Sequence, residues 1–209
     1  MSKKYSYFFI FSILVFFFLF VSSSYLNTSD NIHQQGFNTK YNVYSVLKPA
    51  DLKFANEKVP NISHDVWERL DKELLKNIYW QSNTMLYFKR ANKYFPIIED
   101  ILAKNNIPDD FKYLALIESG FEYTVSPSGA AGFWQIMRGT AREYGLEVNY
   151  AIDERYNLKK STEAACKYLK KAYQEFGSWT MAAAAYNMGI NGVRRTIKKQ
   201  GTNNYFNLH

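Results

Sequence analysis

Cysteine is almost absent from this sequence, and histidine is scarce. Among 209 residues there is one cysteine, Cys166, and there are three histidines, at positions 33, 64 and 209. A single cysteine excludes an intramolecular disulfide, so the fold must be stabilised by packing. The histidines do not have the spacing of metal ligands, and a lone cysteine on a helix face behaves as a small apolar residue. We therefore expect no bound metal and no cofactor.

The sequence also lacks internal repeats and the alternating pattern that is typical of β-strands. Apolar residues instead recur at helical spacing from Ser63 onward. This pattern predicts a compact all-α domain over residues 63–209, with seven or eight short helices. Residues 25–62 are rich in Asn, Ser and Lys and have no sustained period, so we interpret them as a linker or loosely packed arm.

Several helix boundaries are predicted from proline, glycine and capping residues. Pro96 predicts that one helix ends at the preceding residue and that a new helix begins. The T-x-x-E pattern from Thr140 to Glu143 predicts the start of a short helix, and Ser161 or Thr162 is expected to cap the next one. Three helices are expected to end at glycines, at positions 120, 145 and 177.

Only one long apolar run is present, and it lies at the N-terminus. It extends from Tyr7 to Val21 with Ser12 as its only interruption, and it follows two lysines and precedes three serines. The pattern is typical of a secretory signal, and the run is shorter than the roughly 20 residues that span a bilayer. We predict that residues 1–24 form a signal peptide or, alternatively, an anchor that attaches the chain to a membrane through residues 7–21. Either reading predicts export to the periplasm or cell envelope.

Negative charge is in the minority. The chain has 26 Lys and Arg against 19 Asp and Glu, a formal net charge of +7. Such an excess favours a polyanionic partner, although solubility alone would also account for it. No nucleic-acid recognition motif is present, so we expect no nucleic-acid partner and favour a cell-wall or membrane surface.

One carboxylate occupies a predicted core position. Phe111, Leu114 and Ala115 lie on one helical stripe, and the next member of that stripe is Glu118. Burial of a carboxyl group raises its pKa, which keeps it protonated near neutral pH, as a general acid requires. The alternative is that Glu118 lies at the edge of the core and pairs with an Arg or Lys.

Three short clusters lie where predicted helices end: Glu118 with Ser119, the stretch SGAAGFWQ over residues 128–135, and Ala185-Tyr186-Asn187. In this order and at these separations they resemble the motifs of soluble lytic transglycosylase domains, in the goose-type lysozyme group. The chain is most similar to the membrane-bound lytic murein transglycosylase D type. The resemblance covers about residues 64–206 and departs from the usual pattern at Phe133, where Leu is common.

The resemblance implies a lysozyme-like fold and an enzyme that acts on peptidoglycan glycan strands. Such an enzyme cuts the β-1,4 bond between N-acetylmuramic acid and N-acetylglucosamine and leaves 1,6-anhydromuramoyl ends. Glu118 would act as the single acid and base, because the substrate's own N-acetyl group takes the role of a second carboxylate. Oligomeric state is not predicted.

The resemblance also implies a set of substrate-binding residues. Ser119 would hydrogen-bond near Glu118 or the substrate, Gln135 would bind a sugar N-acetyl or hydroxyl group, and Tyr186 would direct its hydroxyl toward developing charge. Asn187 is either a substrate ligand or a residue that ends its helix. The remaining candidates are Gly132, which would let the backbone approach the sugar, and Phe133 and Trp134, which serve either the core or sugar stacking.

Two alternatives stay open at this point. Glu122 is a second carboxylate close to Glu118, and if it faced the same cleft a lysozyme-like muramidase that uses water would be possible. We favour a solvated loop acid at that position. A non-catalytic cell-wall-binding protein is the other alternative, although it has no need of a buried acid.

Asp153, Glu154 and Arg155 resemble a further motif, which we interpret as a structural ion pair.

Overall fold

A computed structural model describes residues 46–60 and 63–208 of the chain. The predicted signal or anchor of residues 1–24 lies outside the described residues, as does most of the predicted linker. The described part contains a two-stranded antiparallel hairpin, seven α-helices and two short 3₁₀ helices. The strands are β1 (Lys53–Phe54) and β2 (Glu57–Lys58). The helices are α1 (His64–Tyr79), α2 (Gln81–Lys104), α3 (Phe111–Ser119), α4 (Arg138–Glu143), α5 (Leu158–Phe176), α6 (Trp179–Met188) and α7 (Ile190–Gln200), with 3₁₀ turns at Glu154–Tyr156 and Tyr205–Asn207.

The predicted all-α class is confirmed, and α5 is the central helix. It packs against α2 on one side and against α6 on the other, while α3 packs on α2 and α7 packs on α6. One core cluster lies between α2, α3, α5 and the loop that follows α3, and a second lies between the end of α5, α6 and α7. Cys166 is fully buried in the first cluster. The fold therefore places the ends of α3 and α6 beside the loop that connects α3 to α4.

The predicted helix break at Pro96 is wrong, because α2 runs through it without interruption. Proline removes one backbone hydrogen bond from a helix interior and usually disturbs it. Here Ala91 lies before the proline and Ile98 and Leu102 lie after it, and all three are buried in the same helix. Burial on both sides outweighs the local cost of the proline.

Two predicted helix starts are also wrong. Helix α4 begins at Arg138, so Thr140 lies inside it, and α5 is capped by Asn157, whose side chain accepts a hydrogen bond from the backbone N–H of Lys160. Ser161 and Thr162 are buried inside α5, where each hydroxyl donates to the backbone carbonyl four residues earlier. Each hydroxyl is therefore satisfied by a backbone carbonyl of its own helix and does not serve as a cap.

The hairpin was not predicted from the sequence. Its strands have two residues each, which is too short for an alternating pattern to be visible. Ala55 and Asn56 form its turn with φ angles of 52° and 65°, and Ala55 is buried. Part of the segment assigned to a linker therefore packs on the helical domain. Among the described residues, no helix has the length and apolar character needed to cross a membrane.

Candidate active site

Glu118 occupies the position on α3 that the apolar spacing predicts. Phe111, Leu114 and Ala115 are buried on one face, and Glu118 follows them, partly buried, at the C-terminal end of the helix. Burial raises the pKa of the Glu118 carboxyl above its ordinary value of 4.5. Within residues 46–60 and 63–208, no Arg or Lys pairs with this carboxyl and no hydrogen bond reaches it. Burial thus favours the protonated form of this carboxyl, and no neighbouring cation opposes it.

Ser119 joins the end of α3 to the loop that carries the second cluster. Its hydroxyl donates to the carbonyl oxygen of Phe133 at 2.8 Å and accepts from the backbone N–H of Phe121 at 3.0 Å. Gly120 ends the helix in the left-handed conformation, with φ at 58°, as predicted. These contacts of Ser119 are within the protein, as is a longer one to the carbonyl of Ala115, so its effect on Glu118 is to fix the end of the helix.

Gln135 lies in the loop between α3 and α4 with an unusual backbone conformation. Its φ angle is 46°, and its side-chain amide donates to the carbonyl oxygens of Gly132 at 3.0 Å and Thr124 at 3.1 Å. The amide nitrogen therefore stabilises the loop. The amide oxygen is the atom that remains for another hydrogen-bond donor.

Gly132 is required by a close backbone approach. A Cβ atom at this position would lie 1.9 Å from the carbonyl oxygen of Arg155. The Arg155 side chain is buried, pairs with Asp153 at 2.6 Å, and donates to the carbonyls of Gly129 and Ile136. The predicted structural ion pair is confirmed. The close approach at Gly132 is to protein backbone, so this glycine shapes the loop.

Phe133 and Trp134 point into the core. Their side chains are 2% and 0% exposed, and the indole N–H of Trp134 donates to the hydroxyl of Thr162 at 2.8 Å. The ring of Phe133 packs against Tyr94 and Tyr123. The core alternative therefore describes both side chains, and the stacking alternative does not.

Tyr186 connects the second cluster to the third. Its hydroxyl donates to the carbonyl oxygen of Trp134 at 2.6 Å, so the donor role predicted from the sequence is taken up by the protein itself. Burial, together with the negative charge that Glu118 carries when ionised, raises the pKa of Tyr186 well above its ordinary value. Asn187 follows in α6 and is exposed. The structure thus brings all three clusters together.

Two concave surfaces meet at Asn187. The first is a cavity of about 180 Å³, whose wall includes Gln135, Met137, Thr140, Tyr144, Tyr168, Tyr186 and Asn187. The second is a largely apolar groove of about 480 Å³, whose wall includes Phe54, Tyr113, Ile117, Asn187, Met188 and Tyr205. Ile117, the residue before Glu118, borders the groove, and Tyr186, whose pKa the charge of Glu118 raises, borders the cavity.

Glu122 is engaged by a cation. Its carboxylate lies 2.5 Å from the guanidinium of Arg90, which also donates to the carbonyl oxygen of Gly120 at 2.9 Å. The Glu122 side chain is half exposed. The half-exposed side chain agrees with the solvated loop acid that we favoured, whereas the pairing with Arg90, which also bonds the carbonyl of Gly120, was not predicted.

Several residues of the cavity wall were not singled out from the sequence, among them Met137, Tyr144 and Tyr168. Met137 follows Gln135 and is 45% exposed, and Tyr144 and Tyr168 pack ring against ring at 5.6 Å. The Tyr168 hydroxyl donates to the carbonyl of Ala185 at 2.6 Å, one residue before Tyr186. Helical spacing alone does not separate a core tyrosine from one at a cavity wall, so the sequence does not single out Tyr168.

Comparison with known proteins agrees with this arrangement. Residues 95–209 match the Transglycosylase SLT domain family, which is a little over half of the chain. The chain is 34% identical over 133 residues to membrane-bound lytic murein transglycosylase D of Escherichia coli (strain K12), and the same figures hold for that of strain O6:H1. It is 31% identical over 125 residues to a protein of Alteromonas sp. (strain M-1) named for resistance to tributyltin chloride.

The aligned region covers only part of this chain and part of each relative. The aligned region is 63% of this chain and 28% of each Escherichia coli protein, and it is 59% of this chain and 60% of the Alteromonas protein. The three clusters and the residues that join them lie inside the matched family region. The chain belongs to the transglycosylase SLT domain family.

Proposed function

We propose that this chain is a peptidoglycan lytic transglycosylase, a lyase that cuts the β-1,4 bond between N-acetylmuramic acid and N-acetylglucosamine. The observation that carries the proposal is Glu118, a partly buried carboxyl with a raised pKa and no ion-pair partner in the described chain. Membership of the family and the names of the Escherichia coli relatives supply the substrate class. The formal charge of +7 suits an anionic wall polymer.

In this proposal Glu118 acts first as an acid and then as a base. Its proton passes to the glycosidic oxygen as the bond from that oxygen to C1 of the muramoyl sugar breaks. The carboxylate then accepts the proton of the muramoyl C6 hydroxyl, whose oxygen forms the new bond to C1. The product is a 1,6-anhydro ring, and no water is consumed. One carboxyl group suffices because the sugar's N-acetyl group stabilises the intermediate charge.

The neighbouring residues fall into two groups: residues that would contact the substrate and residues that would support the site. The amide of Asn187 and the oxygen of the Gln135 side chain would bind sugar hydroxyl or N-acetyl groups, a role supported by the position of both residues on the cavity wall. Ser119 and Tyr186 support the site through their hydrogen bonds to the carbonyls of Phe133 and Trp134. A substrate strand would pass Glu118 with one part in the cavity and another in the apolar groove.

We also propose that the enzyme acts in the cell envelope. Residues 1–24 would direct export or remain as an anchor, residues 25–62 would form the connecting segment apart from the hairpin, and residues 63–209 would form the catalytic domain. The Escherichia coli relatives are named as membrane-bound proteins. Fractionation of cells that express the full chain, with and without residues 1–24, tests this placement.

The product distinguishes this proposal from its alternatives. Purified peptidoglycan is incubated with the chain and with its Glu118→Gln variant, and the released muropeptides are analysed by mass spectrometry. Anhydro products, lighter by one water than hydrolytic products, support the lyase and are expected to disappear in the variant. Products with a free reducing end would indicate a muramidase, and binding without any release would indicate a wall-binding protein.

A further inference from the structure

The hairpin of residues 53–58 contacts the first residues of two helices, α3 and α6. The backbone N–H of Ala55 donates to the carboxylate of Asp110 at 2.6 Å, directly before α3 begins. The ring of Phe54 packs on Phe111 at 5.3 Å, and Phe111 packs in turn on Trp179, the first residue of α6. The hairpin therefore lies against the starts of both helices that carry the proposed site.

Glu57 makes the polar half of this connection. Its carboxylate accepts hydrogen bonds from the hydroxyls of Ser178 and Thr180 at 2.8 and 2.7 Å. It also accepts from the backbone N–H groups of Trp179 and Thr180, which are donors that the first turn of a helix cannot satisfy internally. Burial alone would raise the pKa of Glu57, but these hydrogen bonds outweigh burial and the pKa is lowered. The group is therefore held as a carboxylate.

This connection matters because α3 and α6 each pack mainly on other helices, and the contact of Phe111 with Trp179 joins them near their starts. Helix α3 packs mainly on α2, and α6 packs mainly on α5 and α7. Glu118 and Tyr186 each lie roughly two helical turns beyond the residues that the hairpin holds. A small tilt at the start of either helix would thus change the separation between the carboxyl of Glu118 and the hydroxyl of Tyr186.

We infer that Glu57 is a positioning residue, which holds α6 in place relative to α3 and thereby fixes the position of Tyr186 relative to Glu118. The inference rests on the proposed function for its effect on catalysis. Its structural part, the hold on α6, stands independently. It assigns a role to a segment N-terminal to the matched family region, which begins at residue 95.

The test uses the full chain with Glu57→Gln, which keeps the shape of the side chain and removes its charge. Glu175→Gln is the matched control, because Glu175 also joins two helices, but its carboxylate bonds Arg194 of α7 and no group of α6. We expect Glu57→Gln to lower kcat on soluble glycan strands by about tenfold with little change in KM, because misplacement of reacting groups acts on the rate. Glu175→Gln should leave both constants unchanged.

A double-mutant cycle separates positioning from a general loss of stability. If Glu57 acts through Tyr186, then adding Glu57→Gln to Tyr186→Phe should lower kcat by less than about twofold, because the two changes affect one interaction. Losses that multiply in the double variant would overturn the inference. An unchanged kcat in Glu57→Gln, measured well below its unfolding temperature, would also overturn it.

Hydrogen–deuterium exchange gives a readout that needs no activity. Amides of residues 179–188 should exchange faster in Glu57→Gln than in the parent or in Glu175→Gln, while amides of α5 should not change. Equal exchange in all three proteins would overturn the hold on α6. If exchange changes as expected but the parent releases no muropeptides, the proposed function fails and the structural role of Glu57 stands.

Discussion

The hydroxyl of Tyr186 donates a 2.6 Å hydrogen bond to the backbone carbonyl oxygen of Trp134. This bond joins α6 to the loop between α3 and α4, and Ser119 makes the matching bond from α3 to the carbonyl of Phe133. Two adjacent carbonyls of one loop are therefore held by the two helices that carry Glu118 and Tyr186. The relative position of these two side chains depends on that loop.

Tyr186→Phe should lower both activity and stability. The change leaves the carbonyl of Trp134 without its donor, which should cost about 1 kcal/mol of the free energy of unfolding. It also removes the bond that holds the end of α6 to the loop, and because such misplacement acts on the rate we expect muropeptide release to fall roughly 100-fold. Thermal unfolding and the release assay measure the two effects.

Tyr168→Phe is the matched control for that variant. In the parent chain the hydroxyl of Tyr168 also donates to a backbone carbonyl, that of Ala185, at 2.6 Å. The Tyr168→Phe variant should lose about as much stability as Tyr186→Phe but much less activity. The reason is that Glu118 influences the pKa of Tyr186 and not that of Tyr168. Equal losses of activity in both variants would mean that Tyr186 acts only through the fold.

Glu118→Gln should abolish release and change how stability depends on pH. Burial raises the pKa of Glu118 above 4.5, so the folded chain binds this proton more tightly than the unfolded chain. Its contribution to stability is therefore full below pH 4.5 and is lost as the pH rises toward the raised pKa. The glutamine variant has no such loss, so its unfolding temperature relative to the parent should increase over that window.

The control for this pH dependence is an exposed carboxylate. Glu175→Gln removes a surface acid, and its unfolding temperature relative to the parent should not increase across the same window. Thermal unfolding of the three proteins from about pH 4 to about pH 7 makes the comparison. A constant difference for Glu118→Gln would mean that its carboxyl is not held protonated by burial, and unfolding of that variant would make Glu118 structural.

The sequence predicted the position of Glu118 because helical spacing is a local property. Phe111, Leu114 and Ala115 define a buried face, and the acid follows on that face whatever the rest of the chain does. The resemblance brought Gln135 and Tyr186 to the same site. The bonds that join the clusters run from a side chain to a backbone carbonyl, and a motif does not specify those partners.

What the sequence missed depends on contacts between distant residues. Pro96 continues α2 because its neighbours on both sides are buried together, and Thr162 lies inside α5 because it bonds the carbonyl of Leu158 and accepts from Trp134. Glu57 reaches α6 across more than a hundred residues of sequence. Neither helix propensity nor residue spacing predicts these contacts, because they form only in the folded chain.

Gly132→Ala should destabilise the loop that both helices hold. The new Cβ would lie 1.9 Å from the carbonyl oxygen of Arg155, at a φ of +77° that disfavours any side chain. We expect a loss of roughly 2 to 4 kcal/mol in the free energy of unfolding. Gly139→Ala is the control, because Gly139 lies in α4 with open space around it. That variant should be more stable than the parent by about 0.5 kcal/mol.

Denaturant titration of both glycine variants checks this pair of expectations. A Gly132→Ala protein as stable as the parent would mean that the loop can move away from Arg155. In that case the buried guanidinium, with its bonds to Asp153 and to the carbonyls of Gly129 and Ile136, would not fix the loop.

Glu122→Gln tests whether a second carboxylate takes part in the chemistry. Glu122 is half exposed and paired with Arg90, so the loss of this pair should change stability by less than about 1 kcal/mol. The Glu122 carboxylate already has Arg90 as its partner, and the bond of Arg90 to the carbonyl of Gly120 does not require that charge. We expect anhydro products at a rate close to that of the parent, measured by mass spectrometry of muropeptides. If the parent yields reducing ends and Glu122→Gln does not, then Glu122 activates water and the enzyme is a muramidase.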